Sequence, residues 1–220
     1  MRLYPPALVR RMGLSRIDLV DGLEWGGERR GGLYDPETWT VFLDSSLWSR
    51  WEAFGRRGLH HELFHSIDGW TLRGAAGEED WNELNPPAFR YAPEDKRLRW
   101  PLIALAPYAG ETGFVTRYSM SAGAEDRAEV FSFLMSDPEY LEERMKEDRV
   151  LQRKVGALRQ FLRRLCGEFD DGYWQERRRR KPAPWRDPPG TESLRVVWRD
   201  AIRAWAARPG WGGATRAASG

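Results

Sequence analysis

The three histidines of this 220-residue chain fall within six positions, His60, His61 and His65 in HHELFH. By chance alone, an H-E-x-x-H pattern is expected in a chain so poor in histidine on the order of a few times in a thousand. On a helix, positions i and i+4 lie one above the other on a single face. His61 and His65 can therefore aim a ring nitrogen each at one metal ion about 2 Å away. Glu62, about 100° further round the helix, can reach a metal-bound water without ligating the metal and take its proton. His60 paired with His65 is the alternative, but a separation of i, i+5 misaligns the two rings.

Catalytic zinc usually takes three protein ligands and keeps a fourth position for water or substrate. Cys166 is the only other soft donor, so an acid must complete the set. The segment AEDRAEVF at 124–131 brings Glu125, Asp126 and Glu129 within two turns. Glu125 and Glu129 stand at i and i+4, so one can bind the metal while the other accepts a hydrogen bond from the outer nitrogen of a ligand histidine. A solvated acidic face is the ordinary reading of such a run, but Ala128, Val130, Phe131, Phe133 and Leu134 make this helix too apolar for it.

HHELFHSID followed by GFVTRYSMSAGAEDRAEVF resembles the zinc-binding metallopeptidases of bacteria, relatives of the catalytic domain of anthrax lethal factor. In that family a Tyr stands seven positions before a Glu ligand that opens an E-x-x-A-E pattern. Here Tyr118 precedes Glu125 by that interval, and EDRAE at 125–129 completes the pattern. The resemblance implies a zincin-like α+β fold of the gluzincin type, with one Zn2+ per chain held by His61, His65 and Glu125. It further implies Glu62 as general base, Tyr118 as the group that steadies the oxyanion, and Glu129 as the support behind the ligands. WNELNPPAFRY at 81–91 is also similar to this family, with no role attached to it. The match covers roughly 59–70 and 113–134. None of the toxin's other domains is present, so its target does not carry over.

These residues need elements to hold them. Residues 14–44 read as β-rich: IDLV at 17–20 as a short mixed run, GERRGG at 27–32 as turn-like, and Thr38–Leu43 as a strand by its alternation. That last strand could serve as an edge for an added peptide strand or lie in the sheet interior. Ser45 and Ser46 offer helix caps before LWSRWEAF. Leu59, Leu63 and Ile67 repeat at helical spacing through 58–70, with Gly69 as a stop. The stretch 71–113, rich in Gly, Pro and charge, reads as irregular connection. A helix is expected over Ala124–Leu134, and Pro138 suits the first turn of the next. From Leu141 to Phe169, Val150, Leu151, Val155, Leu158, Phe161, Leu162 and Leu165 form one apolar stripe. The expected fold class is thus α+β, a single domain with a small N-terminal sheet, an active-site helix and a mostly helical C-terminal half. Residues 1–175 would form that domain, 176–192 a basic, proline-rich connector, 193–208 a C-terminal amphipathic helix, and 209–220 a disordered tail.

Composition narrows the partners. Hydrophobic residues are 41% of the chain, enough for a core, and the near-cancelling charges leave a net +2. That balance argues against a nucleic-acid-binding protein, despite RRRRK at 177–181, and no run approaches the ~20 apolar residues that span a bilayer. With one cysteine and no apolar leader at the N-terminus, a cytoplasmic location is expected, with specialised secretion left open. The expected partner is a peptide or protein substrate, and oligomeric state is not legible. The rival reading is a zinc-stabilised binding or regulatory protein of the same fold that performs no hydrolysis.

Overall fold

A computed structural model of the protein describes residues 3–46, 52–71, 78–92 and 107–179. The chain divides into two units, Met1–Pro184 and Trp185–Gly220, and every described residue belongs to the first. The expected caps at Ser45 and Ser46 lead into residues outside the described set. So do most of the basic connector, the C-terminal helix and the tail.

Helix α1 (Pro6–Arg11) starts with proline in its first turn, where no intrahelical N–H is needed. Five short strands follow: β1 (Arg16–Val20), β2 (Glu24–Trp25), β3 (Glu28–Arg29), β4 (Gly32–Asp35) and β5 (Thr40–Asp44). β5 is the centre of a three-stranded sheet, parallel to β1 and antiparallel to β4, while β2 and β3 form a separate hairpin. The strand expected at Thr38–Leu43 is therefore interior, paired on both sides, and among the described residues β1 and β4 are the edges. Alternation could not decide this, because strand pairing depends on segments far apart in sequence. The run GERRGG, expected as a turn, contributes β3 and the start of β4. Asp44 ties the hairpin to the sheet, its Oδ2 accepting from Leu23 N at 3.1 Å and Arg29 Nε at 2.9 Å.

Helix α2 (Glu52–Thr71) packs β4 and β5 on one side and α4 (Gly123–Ser136) on another. It runs two residues past Gly69, the expected stop. Leu63, Phe64 and Ile67 are buried, and the Phe64 and Phe131 rings stand 4.9 Å apart. Between them come α3 (Glu78–Glu83) and a 3-10 turn, Tyr118–Met120. Behind α4 lie α5 (Pro138–Met145) and α6 (Arg149–Leu165), and α7 (Asp171–Arg179) packs on α5. Pro138 occupies the first turn of α5, as expected. Among the described residues no helix is long and apolar enough to cross a membrane.

The segment expected as one element from Leu141 to Phe169 is split, because Asp148 starts a new helix, and the apolar stripe from Val150 to Leu165 lies whole within it. Its Oδ1 accepts from Leu151 N at 2.9 Å, and its Oδ2 accepts from the buried Gly113 N–H at 2.7 Å. Gly113 has φ +89°, and a side chain there would run into Val150, so only glycine brings that N–H to the cap. Asp148→Ala removes both acceptors. It is expected to lower stability by about 2 kcal/mol, the upper end for a cap, since a buried donor is also orphaned. Urea unfolding checks this, and an unchanged midpoint would mean that neither bond matters.

Candidate metal centre

His61 and His65 stack one turn apart on α2 with their rings edge to face, centroids 4.7 Å apart. Glu125 reaches them from the first turn of α4. His65 Nε2 lies 3.0 Å from His61 Nε2, Glu125 Oε2 lies 3.1 Å from His61 Nε2, and Glu125 Oε2 lies 3.4 Å from His65 Nε2. Donors of a tetrahedral zinc bound at 2.0–2.1 Å stand about 3.3 Å from one another, so this triangle has the right size. Among the described residues, His61, His65 and Glu125 form the one group of three such side chains that could hold a metal ion.

The protonation pattern also suits a cation. His61 Nδ1 lies 2.8 Å from Glu129 Oε1. A carboxylate only accepts, so the ring proton belongs on Nδ1 and the Nε2 lone pair faces the other two donor atoms. Three acceptor atoms converging at this range favour a positive charge among them. A proton on His61 Nε2 is the other way to meet that preference: burial pulls the imidazole down, but hydrogen bonds to Glu125 and Glu129 hold it well above its ordinary range. A helix pair held by a buried ion pair carries these side chains: Arg127 on α4 donates from Nε and Nη2 to Asp68 Oδ2 on α2, at 3.0 and 2.7 Å.

Glu62 is buried beside the triangle. Burial raises its carboxyl above the usual range, against the opposing pull of His61 and His65. The backbone N–H of Tyr34, on β4, donates to it. Tyr118 stands with its ring 5.8 Å from His61, and its hydroxyl hydrogen-bonds Glu125. Burial and then the charges of Glu125 and Glu62 raise this phenol well above its ordinary value, which keeps it a donor. The turn that presents Tyr118 is closed by two bonds that Ser119 donates to Thr116, from N to Oγ1 at 3.0 Å and from Oγ to the carbonyl O at 2.6 Å.

His60 points elsewhere. Its Nδ1 is 2.5 Å from the Tyr4 hydroxyl in the core, and burial, with Arg177 and Arg56 nearby, pushes it down to about 3. Asp126, although next to Glu125, turns away from the triangle. Its Oδ2 accepts from Trp81 Nε1 at 2.9 Å, Tyr91 Oη at 2.7 Å and Lys154 Nζ at 2.6 Å. The segment WNELNPPAFRY therefore has a place: both its ends anchor on the residue beside Glu125. Sequence reasoning missed Gly32, Tyr34 and Lys154. Only Lys154 left a signal, a lysine at helical spacing within the apolar stripe of α6.

No family model matches the chain, and no curated protein matches it. A solved structure described as a "putative zinc-binding metallo-peptidase", from Bacteroides caccae, is similar in fold, with a TM-score of 0.50 and 22% identity. The similarity covers 78% of this chain and 66% of that one. At this identity it speaks to the α+β architecture, and the chain spans a little under two thirds of that structure's length.

Proposed function

We propose that the protein is a zinc-dependent metallopeptidase, with His61, His65 and Glu125 as ligands and Glu62 as general base. The observation that carries this reading is the convergence of three donor atoms 3.0–3.4 Å apart with a buried carboxylate beside them that is not one of the three. The zinc-binding description of the similar structure agrees with it.

Bound at this triangle, zinc would lower the pKa of a coordinated water to about 7 and polarise a substrate carbonyl. Glu62 would accept the proton of the attacking water and pass it to the leaving amine. Tyr118, held as a phenol, donates to the oxygen on which charge develops. Glu129 holds His61 in the tautomer that frees Nε2. The edge strand β4, which contacts Glu62, offers backbone groups for an extended peptide. Peptide or protein is thus the substrate class.

Metal analysis with a peptide-cleavage assay tests the reading. The wild type is expected to hold one zinc per chain, and Glu125→Ala to lose it. Glu129→Ala is expected to bind it about 10–100-fold more weakly, the usual cost of removing a support behind a ligand. Zinc lost only with Glu129→Ala would exchange the two acids' roles. A protein that holds zinc but cleaves no member of a diverse peptide library would instead be the zinc-stabilised binding protein.

A further inference from the structure

β4 begins with a glycine that its backbone does not require. Gly32 is not among the glycines of positive φ, unlike its neighbours Gly26 and Gly27. Alanine is therefore conformationally allowed at 32, and a strand ordinarily gains from it, since glycine costs more backbone entropy and packs nothing. What glycine supplies here is room. A Cβ at position 32 would fall 2.6 Å from Glu62 Cγ, 2.7 Å from Oε1 and 3.0 Å from Cδ. Two residues along the same strand, the Tyr34 N–H donates to the Glu62 carboxylate. The strand thus meets this side chain twice, once by leaving space and once by a hydrogen bond.

We infer that Gly32 is a positioning residue for Glu62. Its missing side chain admits the carboxylate against β4, where the Tyr34 N–H fixes its direction. The three heavy atoms nearest to a methyl group at 32, all within 3.0 Å, belong to the Glu62 side chain, which can give way more readily than backbone. What must move is the base, not the fold. The role assigned to Glu62 rests on the peptidase reading above, but the contact does not.

The test compares Gly32→Ala in the wild type and in a Glu62→Ala background. In the wild type, the substitution is expected to leave zinc content and KM unchanged and to lower kcat about 100-fold, the scale of an ångström's misplacement at a reacting centre. Thermal unfolding of the metal-free protein supplies the second readout. Gly32→Ala is expected to lower Tm when Glu62 is present, and to leave it unchanged or raise it when Glu62 is alanine, because the strain goes with the side chain that causes it. An equal Tm change in both backgrounds would overturn the inference and leave Gly32 a purely structural glycine. So would a kcat equal to wild type. If the wild type cleaves no peptide, the peptidase reading falls, while the coupling between positions 32 and 62 is still decided by unfolding.

Discussion

Glu62→Gln is expected to lower kcat for peptide cleavage by about 10²–10⁴-fold, the range over which a positioned base contributes, while the protein keeps one zinc per chain. The substitution is close to isosteric. An amide oxygen can still accept from the Tyr34 N–H, and the space left by Gly32 fits the amide as it fits the acid. What disappears is the ability to take a proton. Zinc content should be unaffected, because the three converging donors are His61, His65 and Glu125. Kinetics on quenched fluorescent peptides, with metal analysis of the same preparation, checks both halves. Activity within a few-fold of wild type would put the base elsewhere. Zinc lost together with activity would make Glu62 part of the metal site rather than the group that works beside it. The outcome also separates this variant from Gly32→Ala, which leaves the acid intact but displaces it.

The centre was legible in the sequence where helical period did the work. His61 and His65 are one turn apart by arithmetic, and Glu125 and Glu129 likewise, so each pair had to share a face. That an acid of AEDRAEVF completes the set was read from the lack of another His or Cys donor, while the choice of Glu125 over Glu129 was carried by the resemblance. Within AEDRAE the acids could not be sorted by composition. Asp126 is one position from Glu125, yet it faces Trp81, Tyr91 and Lys154. One step along a helix turns a side chain by about 100°, enough to leave the site altogether. The α+β class with a small sheet before the helices was legible too, from alternation giving way to a three-to-four-residue period. Sheet order was not. β4 opens on Gly32 inside the run GERRGG, so a strand that touches Glu62 reads as a turn. The break at Asp148 was hidden in a charged run, where one acid accepting from Leu151 N is indistinguishable from its solvated neighbours.

Lys154→Met is expected to destabilise the protein by about 3–5 kcal/mol, the cost of removing one partner from a buried ion pair. The Lys154 and Asp126 side chains are both fully buried, with Nζ and Oδ2 2.6 Å apart. Nζ also donates to Gly113 O at 2.9 Å and sits 3.8 Å from the centre of the Phe114 ring. Methionine fits the volume, so packing is largely kept and the loss is electrostatic. It leaves the Asp126 charge facing only the neutral donors Trp81 Nε1 and Tyr91 Oη. Against a typical total of about 5–15 kcal/mol, such a loss is a large fraction of the whole. Because Asp126 is covalently next to Glu125 and holds both ends of the 81–91 segment, the same change should weaken zinc binding without touching a ligand. Equilibrium urea unfolding of the metal-free protein reads the first effect, and a zinc titration at a denaturant-free temperature well below Tm reads the second. The double variant Lys154→Met with Asp126→Leu should recover part of the stability, since no charge is then stranded. Recovery stays partial because the Trp81 and Tyr91 donors lose their acceptor. A Lys154→Met protein as stable as wild type would mean that Asp126 carries no charge in the fold, and the network would then be a set of neutral hydrogen bonds holding α4 in place.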